Sequence, residues 1–180
     1  RKGALSFQTT DLLVIDNKTL TIRAGGVVAT STGEVGSPLT KTYKFTDTAA
    51  EGVSGSLHSD GTSIVVQVNG LNNKNAIATQ FAIALKSANG HNNIFDILGP
   101  ATVGGHAQID ITERVVQSGY NPITLGTTIT GTDSQGNNNV PGVVVTAMGS
   151  PSVAKGFNEF EVGAQINIAG TPKVFVTNRF

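Results

Sequence analysis

The ten residues Ala76–Leu85, AIATQFAIAL, carry the clearest pattern in the chain. The larger apolar side chains Ile77, Phe81, Ile83 and Leu85 fall on odd-numbered positions, whereas alanine or glutamine occupies every even-numbered one. A period of two is typical of a β-strand, because successive side chains point to opposite faces of a sheet, and a helix favours spacings of three and four. We therefore predict a strand over this segment.

A second alternating run lies at Phe160–Ile168, FEVGAQINI, where Phe160, Val162 and Ile166 share one face and polar residues or glycine occupy the other. Shorter segments rich in β-branched residues lie between Gly, Asn and Pro turn signals, and these segments indicate more strands. The further predicted strands are Asp11–Asp16, Thr19–Arg23, Val27–Ser31, Lys41–Thr46, Ser63–Asn69, Ile94–Leu98, Ala107–Gln117, Pro122–Thr130, Val143–Met148 and Lys173–Asn178.

The spacing of these strands predicts an all-β fold, an antiparallel β-sandwich of the jelly-roll or immunoglobulin-like type with little or no helix. We predict no helix of ten or more residues, and only a short turn near Ala49–Glu51 or Arg114–Gln117. The chain has 180 residues and shows no repeat or linker. It is therefore expected to form a single domain over residues 1–180.

The chain carries unusually little charge, since Asp, Glu, Lys and Arg make up 13% of it, against roughly 25% in an ordinary soluble domain. A surface of hydroxyls and amides suits packing against other protein or exposure to extracellular water. The 12 basic and 12 acidic residues include no basic block, which argues against a nucleic-acid partner. No apolar run is long enough to span a membrane. The absence of cysteine excludes disulfides and thiolate metal sites.

No catalytic, cofactor-binding or metal site is predicted, and we expect neither enzymatic activity nor a small-molecule substrate. The segment Gly52–Ser56 lacks the Gly-x-Ser-x-Gly spacing of a hydrolase nucleophile. The three histidines, His58, His91 and His106, lie in turn-like contexts without the ligand spacing of a zinc site. Glu159 and Glu161 are interpreted as the solvated side of a strand rather than as a glycosidase pair.

The first 15 residues include an apolar segment, Ala4, Leu5 and Phe7, that must be buried somewhere. One interpretation is an ordinary first strand paired within its own sheet. The other is a donor strand that inserts into the next subunit. In that case, it would cover a groove in the neighbouring copy. The predicted groove residues are Phe81, Ile83, Phe160 and Val162.

These observations favour a structural subunit of an extracellular filament, such as a pilus or biofilm matrix fibre, which assembles with copies of itself by donor-strand exchange. The chain begins with Arg1 rather than Met, so we expect a leader to have been removed and the protein to lie outside the cell or on its surface. One alternative is a viral capsid or decoration protein with a jelly-roll fold. Another is a cell-surface carbohydrate-binding or adhesin module, although the chain has no Trp and only 2 Tyr for a sugar to stack on.

A modification motif lies near the N-terminus. Asn17-Lys18-Thr19 is the one Asn-x-Ser/Thr triplet in the chain, and this triplet is the acceptor pattern for N-glycosylation. It falls in an apparent turn between two predicted strands, where a glycan could be accommodated. Asn17 is therefore a candidate glycosylation site.

Overall fold

The computed structural model describes residues 2–24, 27–28, 35–36, 39–113, 124–146, 165–166 and 174–175. Strands dominate this part of the chain, which confirms the all-β prediction. In chain order the strands are β1 (Lys2–Phe7), β2 (Thr19–Ala24), β3 (Val27–Val28), β4 (Val35–Gly36), β5 (Leu39–Thr46), β6 (Ile64–Gln67), β7 (Phe95–Val103), β8 (His106–Glu113), β9 (Thr124–Leu125), β10 (Ile129–Gly131), β11 (Val140–Thr146), β12 (Gln165–Ile166) and β13 (Val174–Phe175). The described residues also include one α-helix, α1 (Lys74–Lys86), and three short 3-10 helices, Leu12–Val14, Ala49–Glu51 and Asn92–Ile94.

The strands form two main sheets. The first has the order β10-β11-β1-β8-β7, and all its neighbours are antiparallel. The second has the order β6-β5-β2-β9, in which β5 and β6 run parallel and the other neighbours antiparallel. Two further pairs, β3–β4 and β12–β13, are two-stranded and antiparallel.

Apolar side chains from both main sheets meet in one core. The rings of Phe7 in β1 and Phe45 in β5 lie 6.5 Å apart between their centroids, which joins the first sheet to the second. Alternation along the strands produces this arrangement, since in β2 and β8 every second residue is buried. The buried side chains of these two strands are Leu20, Ile22, Ala24, Ala107, Ile109, Ile111 and Glu113.

The strand predicted at Ala76–Leu85 is wrong, because these residues form most of helix α1. The prediction of no helix of ten or more residues is wrong for the same reason, since α1 has 13 residues. The helix begins after Asn73, whose side-chain oxygen accepts hydrogen bonds from the backbone N–H groups of Asn75 and Ala76, at 2.8 and 3.3 Å. Its buried residues follow helical spacing: Ile77, Ala78, Phe81, Ala82, Ala84 and Leu85. The four alanines of this segment fit either periodicity, and alanine has the highest helix propensity.

Phe81 is the helical residue that contacts both sheets. Its ring lies 5.7 Å from that of Phe7 in the first sheet, and 5.2 and 5.9 Å from those of Tyr43 and Phe45 in the second. The helix connects β6 of the second sheet to β7 of the first. Its buried face therefore completes the core between them.

Of two other predicted strands, one forms a 3-10 helix instead and the other is described only in part. Asp11–Asp16 does not form a strand but contains the 3-10 helix Leu12–Val14, because the Asp11 side chain accepts from Leu13 N–H and caps the turn. Within Phe160–Ile168, only Gln165–Ile166 are described, as β12. The groove residues Phe160 and Val162 lie outside the described residues, as do Glu159 and Glu161. The short turn predicted at Ala49–Glu51 is confirmed.

Candidate functional site

Strand β1 occupies the gap between β8 and β11, which we call the β1 slot. Leu5 lies opposite Ile109 of β8 on one side and Val145 of β11 on the other. Strands β8 and β11 are not neighbours in the sheet, so β1 alone joins the β10–β11 half to the β8–β7 half. Leu5 and Phe7 are 0% and 1% exposed. Without β1, the slot would expose two rows of unpaired backbone groups above an apolar floor.

The residues predicted to form a donor strand therefore lie in the middle of their own sheet. Ala4, Leu5 and Phe7 are all buried there, which corresponds to the interpretation of a first strand paired within one copy. Exchange between copies stays a prediction.

The structure places the predicted groove residues Phe81 and Ile83 in different environments. Phe81 does lie beneath the slot, against Phe7, but it reaches that position from a helix. Ile83 is 46% exposed. It follows Phe81 by two residues in the helix, so its side chain points about 200° around the helix axis from that of Phe81. The strand pattern had placed both residues on one face, and the helix separates them. Sequence reasoning missed the actual walls of the slot, β8 and β11.

The outer edges of the two main sheets are poorly suited to pairing with another chain. Edge strand β7 has a register shift between Leu98 and Ala101, where Pro100 has no N–H to donate. The edge of β6 is covered by its own loop: Gly55 N–H donates to Val65 O, and Val65 N–H donates to Ser56 O, both at 2.9 Å. Within the described residues, the remaining edges β9 and β10 span two and three residues. Short, kinked or covered edges disfavour edge-to-edge association.

The chain that follows β1 is anchored at two points with a short segment between them. Gln8 N–H donates to Gly142 O at 2.8 Å, which extends the pairing with β11. Asp11 accepts from Ser134 N–H at 2.6 Å in the β10–β11 loop, and this hydrogen bond lowers the pKa of the Asp11 carboxyl. Thr9 and Thr10 lie between these anchors, beside a polar, solvent-open cleft of about 500 Å³. We call Thr9–Thr10 the hinge segment.

The 3-10 helix after the hinge segment packs closely on the β10–β11 hairpin. A Cβ atom at Gly131 would clash with the Val14 carbonyl oxygen, and one at Gly142 would clash with the Ile15 side chain. Val14 and Ile15 are 0% and 1% exposed. These close contacts hold the chain downstream of the hinge segment against the β10–β11 hairpin, one wall of the slot.

His58 lies in a hydrogen-bonded network with Lys44, Glu51 and Asp60. Its Nε2 lies 3.0 Å from both Glu51 Oε2 and Lys44 Nζ, and its Nδ1 accepts from Asp60 N–H at 3.1 Å. A hydrogen bond from Thr46 contributes most to lowering the pKa of Glu51. The network ties the turn at Ala49–Glu51 to β5. Among the described residues, no three Asp, Glu, His or Cys side chains are placed to hold a metal ion.

His91 is a core residue despite its turn-like sequence context. It is 0% exposed. The Tyr43 hydroxyl lies 2.6 Å from its Nδ1, and its Nε2 lies 3.3 Å from Leu39 O. Since a carbonyl oxygen can only accept, Nε2 carries the proton and Nδ1 accepts from Tyr43. Burial lowers the pKa of His91 to about 4 and raises the pKa of Tyr43. The pair joins the end of α1 to the second sheet.

Comparison of the chain with protein families, curated proteins and solved structures finds no match. In the part of the chain that the structure describes, no helix has the length and apolar character needed to cross a membrane.

Proposed function

We propose that this protein is a structural subunit of an extracellular filament, in which β1 of one copy occupies the β1 slot of the next. The observation that carries the proposal is the position of β1. This one strand from the start of the described chain pairs on both edges and supplies Leu5 and Phe7 to the core. A second copy presents the same strand and can make the same contacts.

Strand exchange conserves most of the energy of the folded subunit. The backbone pairing of β1 with β8 and β11, and the packing of Phe7 on Phe45 and Phe81, are identical whether β1 comes from the same chain or from a neighbour. The balance between the two forms then depends on protein concentration and on the hinge segment, which must fold back in one form and cross to another copy in the other. Repetition of the exchange from copy to copy gives an open filament.

Two further features support exchange as the mode of assembly. The described edges of the main sheets are short, kinked or covered, so simple edge addition is disfavoured. The net charge of zero and the low content of charged residues mean that identical copies can approach without strong long-range repulsion. Together these features favour a self-assembling subunit whose copies join through the β1 slot.

Single cysteines placed on opposite sides of the slot test the exchange directly, since the chain has no cysteine of its own. Ser6 of β1 lies opposite Gln108 of β8. Gln8 N–H points toward β11, so the even-numbered β1 residues bond to β11, and Ser6–Gln108 is a non-hydrogen-bonded pair, with Cα atoms about 4.5 Å apart. We expect Ser6→Cys and Gln108→Cys proteins, mixed and allowed to assemble, to form disulfide-linked dimers.

The control replaces Gln108→Cys by Thr79→Cys, which lies on the exposed face of α1. Cross-linking of Ser6→Cys to position 108 but not to position 79, seen on non-reducing gels, would support exchange. Equal cross-linking at both positions, or none in assembled material, would contradict it. Negative-stain electron microscopy of the cross-linked sample then tests the filament itself: open fibres support the proposal, whereas closed shells would favour the capsid alternative and overturn it.

The length of the hinge segment should shift the balance between folded-back and exchanged copies. Deleting Thr9 and Thr10 shortens the reach of the chain by about 7 Å, while Gln8 and Asp11 remain anchored to Gly142 and Ser134. We expect this deletion to increase oligomers, and insertion of two glycines after Thr10 to increase monomers, as measured by size-exclusion chromatography with light scattering. Two glycines inserted after the exposed Gly70, in the turn between β6 and α1, should change neither. The same monomer fraction in all variants would argue against exchange through this segment.

A further inference from the structure

The turn at Asn17–Thr19 combines a fixed backbone with an exposed side chain. Asn17 N–H donates to Phe45 O at 3.0 Å, and Lys18 O accepts from Phe45 N–H at 2.9 Å, so both residues are held against β5. Asn17 has a φ of 58°, a left-handed conformation that Asn adopts more readily than most residues. Asn17, Lys18 and Thr19 are all exposed. The triplet is therefore exposed at the surface, with its backbone hydrogen-bonded to β5.

The amide of Asn17 is oriented by its neighbour. Its Nδ2 donates to Asp16 Oδ2 at 2.8 Å, and the other oxygen of that carboxylate accepts from Asp47 N–H at 2.8 Å. Thr19 begins β2, where its side chain is exposed on the same strand face as Thr21. The amide nitrogen and the hydroxyl of the Asn-x-Thr pattern are thus both accessible from solvent.

We propose that Asn17 is an N-glycosylation acceptor. The co-substrate would be an oligosaccharide linked through pyrophosphate to a lipid, with a transferase recognising the Thr19 hydroxyl. The Asn17 amide nitrogen attacks the anomeric carbon, and a C–N bond forms while the C–O bond to pyrophosphate breaks. The lipid pyrophosphate leaves, and the amide proton passes to a base of the transferase. No oxidation or reduction takes place.

The position of Asn17 makes this modification independent of strand exchange. The turn is fixed to β5 in the second sheet, whereas the β1 slot lies in the first sheet. A glycan on Asn17 therefore leaves the pairing of β1 with β8 and β11 intact. It would cover the end of the second sheet near Asp16 and Asp47, which adds polar surface where the protein already exposes amides and hydroxyls.

Secretory expression of the full chain in an N-glycosylating host, followed by intact mass spectrometry, tests the proposal. We expect one glycan per chain, released by peptide N-glycosidase with conversion of Asn17 to Asp. Thr19→Ala should abolish the modification, whereas Thr19→Ser and Thr21→Ala should retain it, since Thr21 is an exposed threonine of the same strand outside the triplet. Secreted wild-type protein of unmodified mass, or a glycan that persists in Thr19→Ala, would overturn the assignment.

Discussion

Replacing Phe81 with alanine is expected to lower the free energy of unfolding by about 3–5 kcal/mol. Phe81 is 0% exposed, and its ring packs against those of Phe7, Tyr43 and Phe45. Removing the ring leaves a cavity between the two main sheets, and both the lost burial and the cavity contribute to the cost. The matched substitution Ile83→Ala should cost less than about 1 kcal/mol, because that side chain is 46% exposed and alanine favours a helix.

Urea unfolding of the two variants and the wild type measures this contrast. The comparison also separates the helix from the strand that periodicity predicts for these residues, because a strand would place Phe81 and Ile83 on one face at similar depth. Similar losses for both substitutions would contradict the helical arrangement. A large loss for Phe81→Ala alone supports it, and supports Phe81 as the floor of the β1 slot.

The ambiguity of Ala76–Leu85 has a physical origin. Ile77, Phe81 and Leu85 are spaced by four and also lie on alternate positions, so the same residues fit a helix face and a strand face. Alanines at the even positions are small enough for either. The signals that favour the helix lie at its ends: Asn73 provides the cap, and Lys86 is a cation in the last turn. A prediction from periodicity alone does not take these flanking residues into account.

Other features were predictable because their local sequence pattern fits only one structure. In β8 (His106–Glu113), every second residue is buried. The apolar residues Ala107, Ile109 and Ile111 already alternate with polar residues in the sequence, so a strand was predictable there. The burial of Leu5 and Phe7 was also predictable, because both are large and apolar. Their partners were not, since Ile109 and Val145 are more than 100 residues away in the chain and local patterns do not specify which strands pair. The slot is therefore visible only in the folded structure.

Acidification is expected to destabilise the protein through His91 at a pH where ordinary carboxyl groups are still ionised. The pKa of His91 is lowered by burial to about 4 in the folded state, from 6.5. The unfolded chain therefore binds a proton that the folded chain does not, and stability falls as pH drops from 6.5 toward 4. This linkage predicts a loss of about 2 kcal/mol at pH 5 and about 3 kcal/mol at pH 4, relative to pH 7.

Glutamine at position 91 is the informative variant, because its amide oxygen can accept from Tyr43 and its amide nitrogen can donate to Leu39 O, yet it does not titrate. Urea unfolding at pH 7 and pH 5 should show the loss in the wild type but not in His91→Gln. The carboxyl groups of Asp11, Glu51 and Asp133 have pKa values lowered by hydrogen bonds, so their contribution to stability is lost only at more acidic pH. If His91→Gln kept the full loss between pH 7 and pH 5, another group would be its source and the buried Tyr43–His91 pair would not govern acid stability.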